Sequence, residues 1–459
     1  MKKILLFAAT AALFAACTSD EATVPEVAQE APQAVAFDTY TPAATKAGLK
    51  DVMTTSTLQS GGFGVFAQYS NDGNYANTTS PSNFMWNQKV AYSASAWTYT
   101  PLKFWPNETK SDSQTSDGAA TSTATDKLSF FAYAPYVANA TGNYKGQLDG
   151  PTYGGDPAIN NSNITTNGGG IEAIIANDAT GKDPWVRYTI ATKPSQSVDL
   201  LWGVAPAGGL SYETVNPNYG ALGATLKVEQ GMPLVNLIKP AKDQKIKFLF
   251  QHALARLGLT VVAAYDQIAP GGSPSATTKI AVESVVITET TATKQLATTA
   301  SLNLNNTTAF RSLWTDQDGI GTLNLTIDNA SGGELNPNIA YDTNASTTFS
   351  KGGSWTGVTT SETPVIADNK YFMLIPNHAN TQLQVVITYY VITADAAVSD
   401  GYSQVKNVIT KKVTIPNLTN NKAYNLKLIL GLTSVKLDAE VADWEVEGST
   451  EVNLPRNNE

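Results

Sequence analysis

Three observations predict an all-β fold. Apolar and β-branched residues recur in short alternating runs, clusters of Gly, Asn, Asp, Pro and Ser separate those runs, and helical periodicity is nearly absent. The chain has 459 residues, and at roughly 150 per domain there is length for two or three domains, each able to bury its own core. In order, the expected strands are Phe63 to Ala67, Leu128 to Tyr133, Leu259 to Ala263, Ile280 to Ile287, Leu323 to Ile327, Leu383 to Ile392, Val413 to Ile415, Ala423 to Leu432 and Val435 to Val441. The last alternates apolar with charged residues, as does an antiparallel sheet buried on one face. Gln251 to Leu257 and Ile171 to Ile175 are the modest helix candidates, and the first serves equally as the start of a strand. Polar stretches at 107–126, 137–183 and 331–363 read as surface loops. A charged segment from Lys239 to Lys245 separates two strand-rich halves, expected as domains at 35–243 and 244–459.

The N-terminus has the form of a secretory signal. Lys2 and Lys3 precede a mostly apolar run from Ile4 to Ala16, too short for a stable membrane-spanning helix. It ends Leu13-Phe14-Ala15-Ala16-Cys17, which resembles the lipobox of bacterial lipoproteins, with residues 1–16 removed and Cys17 acylated. Cys17 is the chain's single cysteine, so lipidation explains its position where a disulfide cannot. Acyl chains contribute about 0.8 kcal/mol per buried methylene and hold a protein at a membrane without a spanning helix. Thr18 is followed by Ser19, Asp20 and Glu21, a short acidic cluster similar to the surface-export signal of lipoproteins in diderm anaerobes. Residues 17–34, rich in Ala, Pro, Glu, Val and Gln, read as a tether.

Composition excludes several functions. Thirty basic against 39 acidic residues give a net charge of −9, and charged residues make up 15% of the chain. With no long basic run, nucleic acid is a poor partner. Two histidines, His252 and His378, and one cysteine are too few for a zinc site of His/Cys type. His252 sits in an apolar run and reads as a buried structural residue; His378 follows Pro376-Asn377 and reads as a turn residue. Asp316-Gln317-Asp318-Gly319 has the opening of a calcium loop, but its twelfth position holds Ile327 instead of Glu. Glu283 and Glu289 are the candidate carboxylate pair, and no constellation of nucleophile, base and oxyanion donor is visible. The expectation is a protein without enzymatic activity, metal or cofactor. In the pairs Phe104-Trp105, Phe130-Phe131 and Tyr389-Tyr390, strand alternation sends one ring to the core and the other outward.

Several segments, taken in order, resemble the fimbrillin-like family, the subunits and accessory adhesins of type V pili. They are Ala36-Phe37-Asp38, Thr45-Lys46-Ala47, Gly64 to Ala67, Trp97-Thr98-Tyr99, Lys103 to Pro106, Leu128 to Pro135 and Asp199 to Trp202. In the second half they are Phe250 to Leu257, Met373 to Pro376, Tyr424-Asn425-Leu426 and Val441 to Trp444. The resemblance implies two tandem transthyretin-like β-sandwich domains with long polar loops, exported as an outer-membrane lipoprotein. It also implies proteolytic removal of an N-terminal strand and head-to-tail assembly with other pilus subunits by donor-strand exchange. Val35, Phe37 and Thr39 are the candidate displaceable strand, and Lys46-Ala47 the candidate cleavage point. That position holds Lys where the family's cleavage is chiefly at Arg. Val435, Leu437, Ala439, Val441 and Trp444 form either a donor strand or the last strand of their own domain. A surface lipoprotein that binds glycan through exposed aromatics is the second reading, and host or bacterial surface ligands are the further expected partners.

Overall fold

The computed structural model describes residues 33–40, 53–70, 74–75, 84–106, 127–137, 169–175, 183–213, 225–240, 244–264, 278–291, 293–326, 334–341, 356–376, 378–399, 401–431 and 435–443. Regular structure within them is almost entirely strand, as the alternation predicts. The elements are β1 (Phe37–Tyr40), α1 (Thr55–Gly61), β2 (Phe63–Ser70), β3 (Met85–Ser93), β4 (Ala96–Thr98), β5 (Lys127–Ala134), β6 (Gly170–Ile175), β7 (Trp185–Thr189), β8 (Leu201–Val204), β9 (Leu210–Glu213), β10 (Thr225–Val228), β11 (Leu234–Leu237) and β12 (Ile246–His252). They continue as β13 (Ala255–Ala263), β14 (Thr278–Glu289), β15 (Thr299–Asn303), β16 (Leu313–Asp318), β17 (Thr322–Thr326), β18 (Thr363–Pro364), β19 (Phe372–Leu374), β20 (Thr381–Ala394), β21 (Tyr402–Ile415), β22 (Lys422–Leu430) and β23 (Val435–Asp443).

The expected runs lie on these strands, except that Gly431 follows β22 and Ile327 and Leu432 lie outside the described residues, but two helix candidates do not form helices. Ile171 to Ile175 belongs to β6, inside the stretch read as a surface loop, because pairing with β7 buries Ile171 and Ile174. Gln251 to Leu257 spans the end of β12 and the start of β13. The helix that does form, α1, comes from local capping. Thr54 N–H donates to the Thr57 hydroxyl at 2.6 Å while the Thr54 hydroxyl accepts from Thr57 N–H, a reciprocal cap. Gly62 ends it at φ +73°, where a Cβ would stand 2.6 Å from the Val90 carbonyl oxygen.

An eight-stranded sheet runs β1-β12-β8-β5-β2-β3-β4, with β11 also on β5. The charged segment 239–245 falls between β11 and β12, and both join this sheet. Chain from the second half, up to His252, thus completes the first sheet. A four-stranded sheet, β16-β15-β7-β6, likewise combines strands from both halves. The remaining large sheets are β18-β13-β22-β23, with β19 on β13, and β17-β14-β20-β21.

Strands β2 and β5 are buried on both faces, so their sequences read as continuous apolar runs. Val65, Ala67, Phe130 and Ala132 enter one core with Phe37, Phe63 and Phe248. Phe66, Phe131 and Tyr133 enter another, continuous with Trp202, Val186, Leu302 and the second-half sheets. Phe130 and Phe131 therefore both point into cores, whereas Phe104 is 46% exposed beside the buried Trp105. Tyr389 is buried, and Tyr390 stacks on Tyr341 on the other face of the strand.

Buried polar contacts join the halves. Asn306 donates to the carbonyl of Gly231 at 3.0 Å, and Asn420 donates to that of His252 at the end of β12. The Ser312 hydroxyl and Trp314 indole N–H both donate to the Ala253 carbonyl, at 3.0 and 3.1 Å. Ala253 directly follows β12, so these bonds hold the chain where it passes from the eight-stranded sheet to β13.

Strand β21 forms one edge of its sheet and pairs with β20 over 14 residues. Such an edge invites pairing with other chains. Lys411 stands opposite the buried Val385, between Ile409 and Val413, on the core-facing side. This inward-pointing charge opposes edge-to-edge association. Lys411→Ile is expected to raise self-association, read as a higher weight-average mass in sedimentation or light scattering at unchanged secondary structure.

Candidate functional site

The N-terminal segment closes a seam in the eight-stranded sheet. Strand β1 pairs in parallel with β12, Phe37 opposite Ile246 and Tyr40 opposite Leu249. On its other side, Val35 N–H donates to the Lys103 carbonyl at 2.8 Å and Trp105 N–H donates to the Gln33 carbonyl at 2.9 Å. Residues 33–40 thus bridge β12 and the chain following β4. Inward, Val35 and Phe37 are each 1% exposed, and Phe37 is ringed by Phe63, Tyr99, Phe130 and Phe248 at centroid distances of 5.6 to 6.2 Å. Thr39, expected on the same face, is half-buried near the end of the strand.

The Tyr99 hydroxyl donates to the Val35 carbonyl at 2.8 Å. Burial pushes its pKa up, against the opposing effect of the Lys103 backbone, so it remains a donor at neutral pH. Removing residues 33–40 would open both a backbone edge on β12 and an apolar trough lined by these rings.

Beyond the seam the chain is fastened again. Met53 N–H donates to Asp199 Oδ2 at 2.8 Å, and the same oxygen lies 2.7 Å from His252 Nδ1. Both side chains are fully enclosed, so His252 is a structural residue closed to substrate. Asp199 Oδ1 accepts from Leu200 N–H. Lys46 and Ala47 lie outside the described residues, between the two anchored points at Tyr40 and Met53. Cys17, Ser19, Asp20, Glu21 and Trp444 also lie outside them.

At the other end, β23 pairs with β22 in an antiparallel ladder from Lys422–Asp443 to Leu430–Val435 and forms the edge of its sheet. Leu437, Ala439 and Val441 pack against the core but stay half-buried, unlike Val35 and Phe37. The candidate donor strand is therefore in its own sheet here, with a looser seat than β1.

The other candidates are separated. Asp318 pairs with Lys294 at 2.8 Å, which holds its carboxyl below the usual range. Glu283 pairs with Lys406 at 2.7 Å, whereas Glu289 accepts from Thr293, Lys294 and Leu296 N–H. The two glutamates thus have separate duties. His378 exchanges backbone hydrogen bonds with Leu418, and burial holds its imidazole below the ordinary value, partly offset by Glu289. Tyr99, Phe248 and Asp199 are the seam residues that strand patterning did not single out, whereas Trp105 is the inward ring of its expected pair. Aromatic spacing was the only local signal for the two rings, Asp199 carried none, and the pairing of 33–35 with 103–105 is not visible in local sequence.

No protein-family model matches the chain. Over 141 residues it is 33% identical to the fimbrium subunit Fim1C of Phocaeicola vulgatus, an alignment covering 30% of this chain and 31% of that relative. The match thus spans less than a third of the relative's length. The crystal structure of a fimbrial protein from Bacteroides vulgatus superposes with a TM-score of 0.55 over 90% of this chain and 100% of that one, at 18% identity. That likeness is one of fold.

Two outcomes follow for stability. Phe37→Ala should cost about 3–5 kcal/mol in denaturant unfolding, since it empties a ring-lined seat. Asp199→Ala should cost about 3–5 kcal/mol, because it removes the carboxylate that the enclosed His252 and the half-buried Met53 N–H both face. Replacing Asp199 and His252 together by Leu should cost less than the single change, measured by the same unfolding curves.

Proposed function

We propose that this chain, similar to the fimbrillin-like family in sequence over 141 residues and in fold over most of its length, is a structural or adhesive subunit of a bacterial surface pilus. Its role is structural and non-enzymatic. Export proceeds through the signal at residues 1–16, Cys17 carries the lipid, and Ser19, Asp20 and Glu21 direct the protein to the outer face of the outer membrane. The observation that carries the reading is the seam strand: two-sided backbone pairing and a fully buried Phe37, joined to the rest of the chain through the segment that contains Lys46.

Cleavage after Lys46 leaves β1 held by non-covalent contacts alone. Its departure creates the acceptor groove, which the C-terminal strand of a neighbouring subunit fills by supplying backbone bonds and alternating side chains together. The donor is the segment from Val435 to Val441 with Trp444, whose alternation matches that of Val35 and Phe37 and whose half-buried face is more easily given up than β1's. Because donor and acceptor lie on different surfaces, the contact is head-to-tail and produces a filament. The boundary between the acceptor and donor units lies at Ala253, where the chain leaves the eight-stranded sheet.

The test is a chain with a site-specific protease sequence placed at residues 45–48. After cleavage, the protein should form ladders that survive detergent without boiling, and the uncut protein should stay monomeric. Cleaved protein that remains monomeric at high concentration would overturn strand exchange between copies.

A further inference from the structure

The sheet of β13, β22 and β23 carries on its outer face a cavity of about 320 Å³. Register lays out its floor in rows across the three strands: Arg256, Ala423 and Ala442, then Gly258, Asn425 and Glu440. Gly258, Ala423 and Ala442 keep the floor low. The wall is Lys370 and Tyr371, on the chain that leaves β18 and returns as β19. The Arg256 guanidinium lies 4.6 Å from the centre of the Tyr371 ring, a stacking that fixes both groups before a ligand arrives. A Cβ on Gly258 would stand 3.2 Å from Tyr371 Cε1, so the glycine is what lets the ring lie over β13. Asn425 donates to the Thr260 hydroxyl at 2.9 Å, which orients its amide at the cavity floor. Beside it Lys427 is paired with Glu362 at 2.9 Å. Burial would raise the Glu362 carboxyl, but the hydrogen bonds from Lys427, Thr260 and Asn425 outweigh it and hold the pKa below the usual value.

The cavity is polar at both ends, with opposite sign. Arg256 and Lys370 stand on the β13 side and Glu440 on β23, two strand spacings or about 10 Å across the sheet. A carboxylate at the first end meets a planar guanidinium and an ammonium. Hydroxyl donors at the second end meet Glu440 and Asn425, and the flank of Tyr371 covers an apolar ring face between them. The size is at the small end of the range of ligand sites, about 300–1,000 Å³.

We infer that this cavity binds a carboxylated sugar, such as a uronic or sialic acid unit of a surface glycan. The inference rests on the pilus reading for its use in adhesion, since it gives the subunit a ligand. It also has a consequence for assembly. Glu440, Val441 and Ala442 belong to β23, so the site is whole only in a subunit that keeps its own C-terminal strand. In a filament built by donating that strand, one end subunit does so, and ligand binding is confined to that end.

The test uses the uncut monomeric chain, so failure of strand exchange cannot cause its failure. Calorimetric titration with glucuronic acid and with N-acetylneuraminic acid is compared with glucose. Saturable binding is expected for at least one acid, with glucose about tenfold weaker or worse. Arg256→Gln should weaken the acid by about tenfold and reduce its salt dependence, with Lys370 supplying the remainder. Ala442→Phe, at an exposed position that tolerates bulk, should block the floor even where Arg256→Gln disturbs folding. Lys406→Ala, on the other large sheet of the second half, should leave binding unchanged. Equal binding of glucose, no saturable binding of either acid, or full binding by a folded Ala442→Phe variant would overturn the inference.

Discussion

The seating of Phe37 in its cage of four rings is the contact on which the rest of the N-terminal sheet depends. The sheet rolls until β1 and the chain after β4 come together, and a rolled sheet with an unfilled seam exposes backbone donors and an apolar trough at once. Residues 33–40 satisfy both demands with a very short piece of chain. Burying one Phe contributes about 3 kcal/mol, and each backbone hydrogen bond a further ~1 kcal/mol net. Such a seat is firm within one chain, yet another strand with the same alternation can match it. The proposed strand exchange requires this balance, an interaction strong enough to complete the sheet within one chain and general enough to be replaced.

The two halves are coupled through the point where β12 gives way to β13. Gln251 and His252 end a strand of the first sheet, and Ala255 begins a strand of the next. Between them, the Ala253 carbonyl takes two buried donors, and Asp199 ties His252 to the backbone at Met53. Met53 lies just beyond the segment that contains Lys46. The same enclosed pair therefore fixes the end of β12, the strand that β1 covers, and holds the chain on the far side of the expected cleavage point.

Much of this was legible in sequence where burial is one-sided. β20 and β22 announce themselves by alternation, and Val35 and Phe37 by being apolar on one face of a short run. Where a strand is buried on both faces, as β2 and β5 are, alternation vanishes and length and flanking turns carry the signal. Sheet membership was not legible. Lys239 to Lys245 looks like a linker because it is charged, but the strand beyond it returns to the first sheet, since Phe248 and Phe250 complete that core. The helix reading at Ile171 to Ile175 failed for a similar reason: five residues carry too little periodicity, and pairing with a distant partner decided their form. The cavity beside Tyr371 was invisible for want of any local pattern, because its residues come from four separate stretches of the chain, between Arg256 and Ala442.

The central claim is that the seam at β12 is a replaceable seat for a strand. It is tested most directly by hydrogen exchange at the amides of Ile246 to His252 in protein cleaved after Lys46 and freed of its N-terminal segment. The account predicts that these amides lose protection on release of the segment and regain it when a synthetic peptide of residues 33–40 is added back. Protection that is unchanged by release, or lost irreversibly with global unfolding, would contradict it.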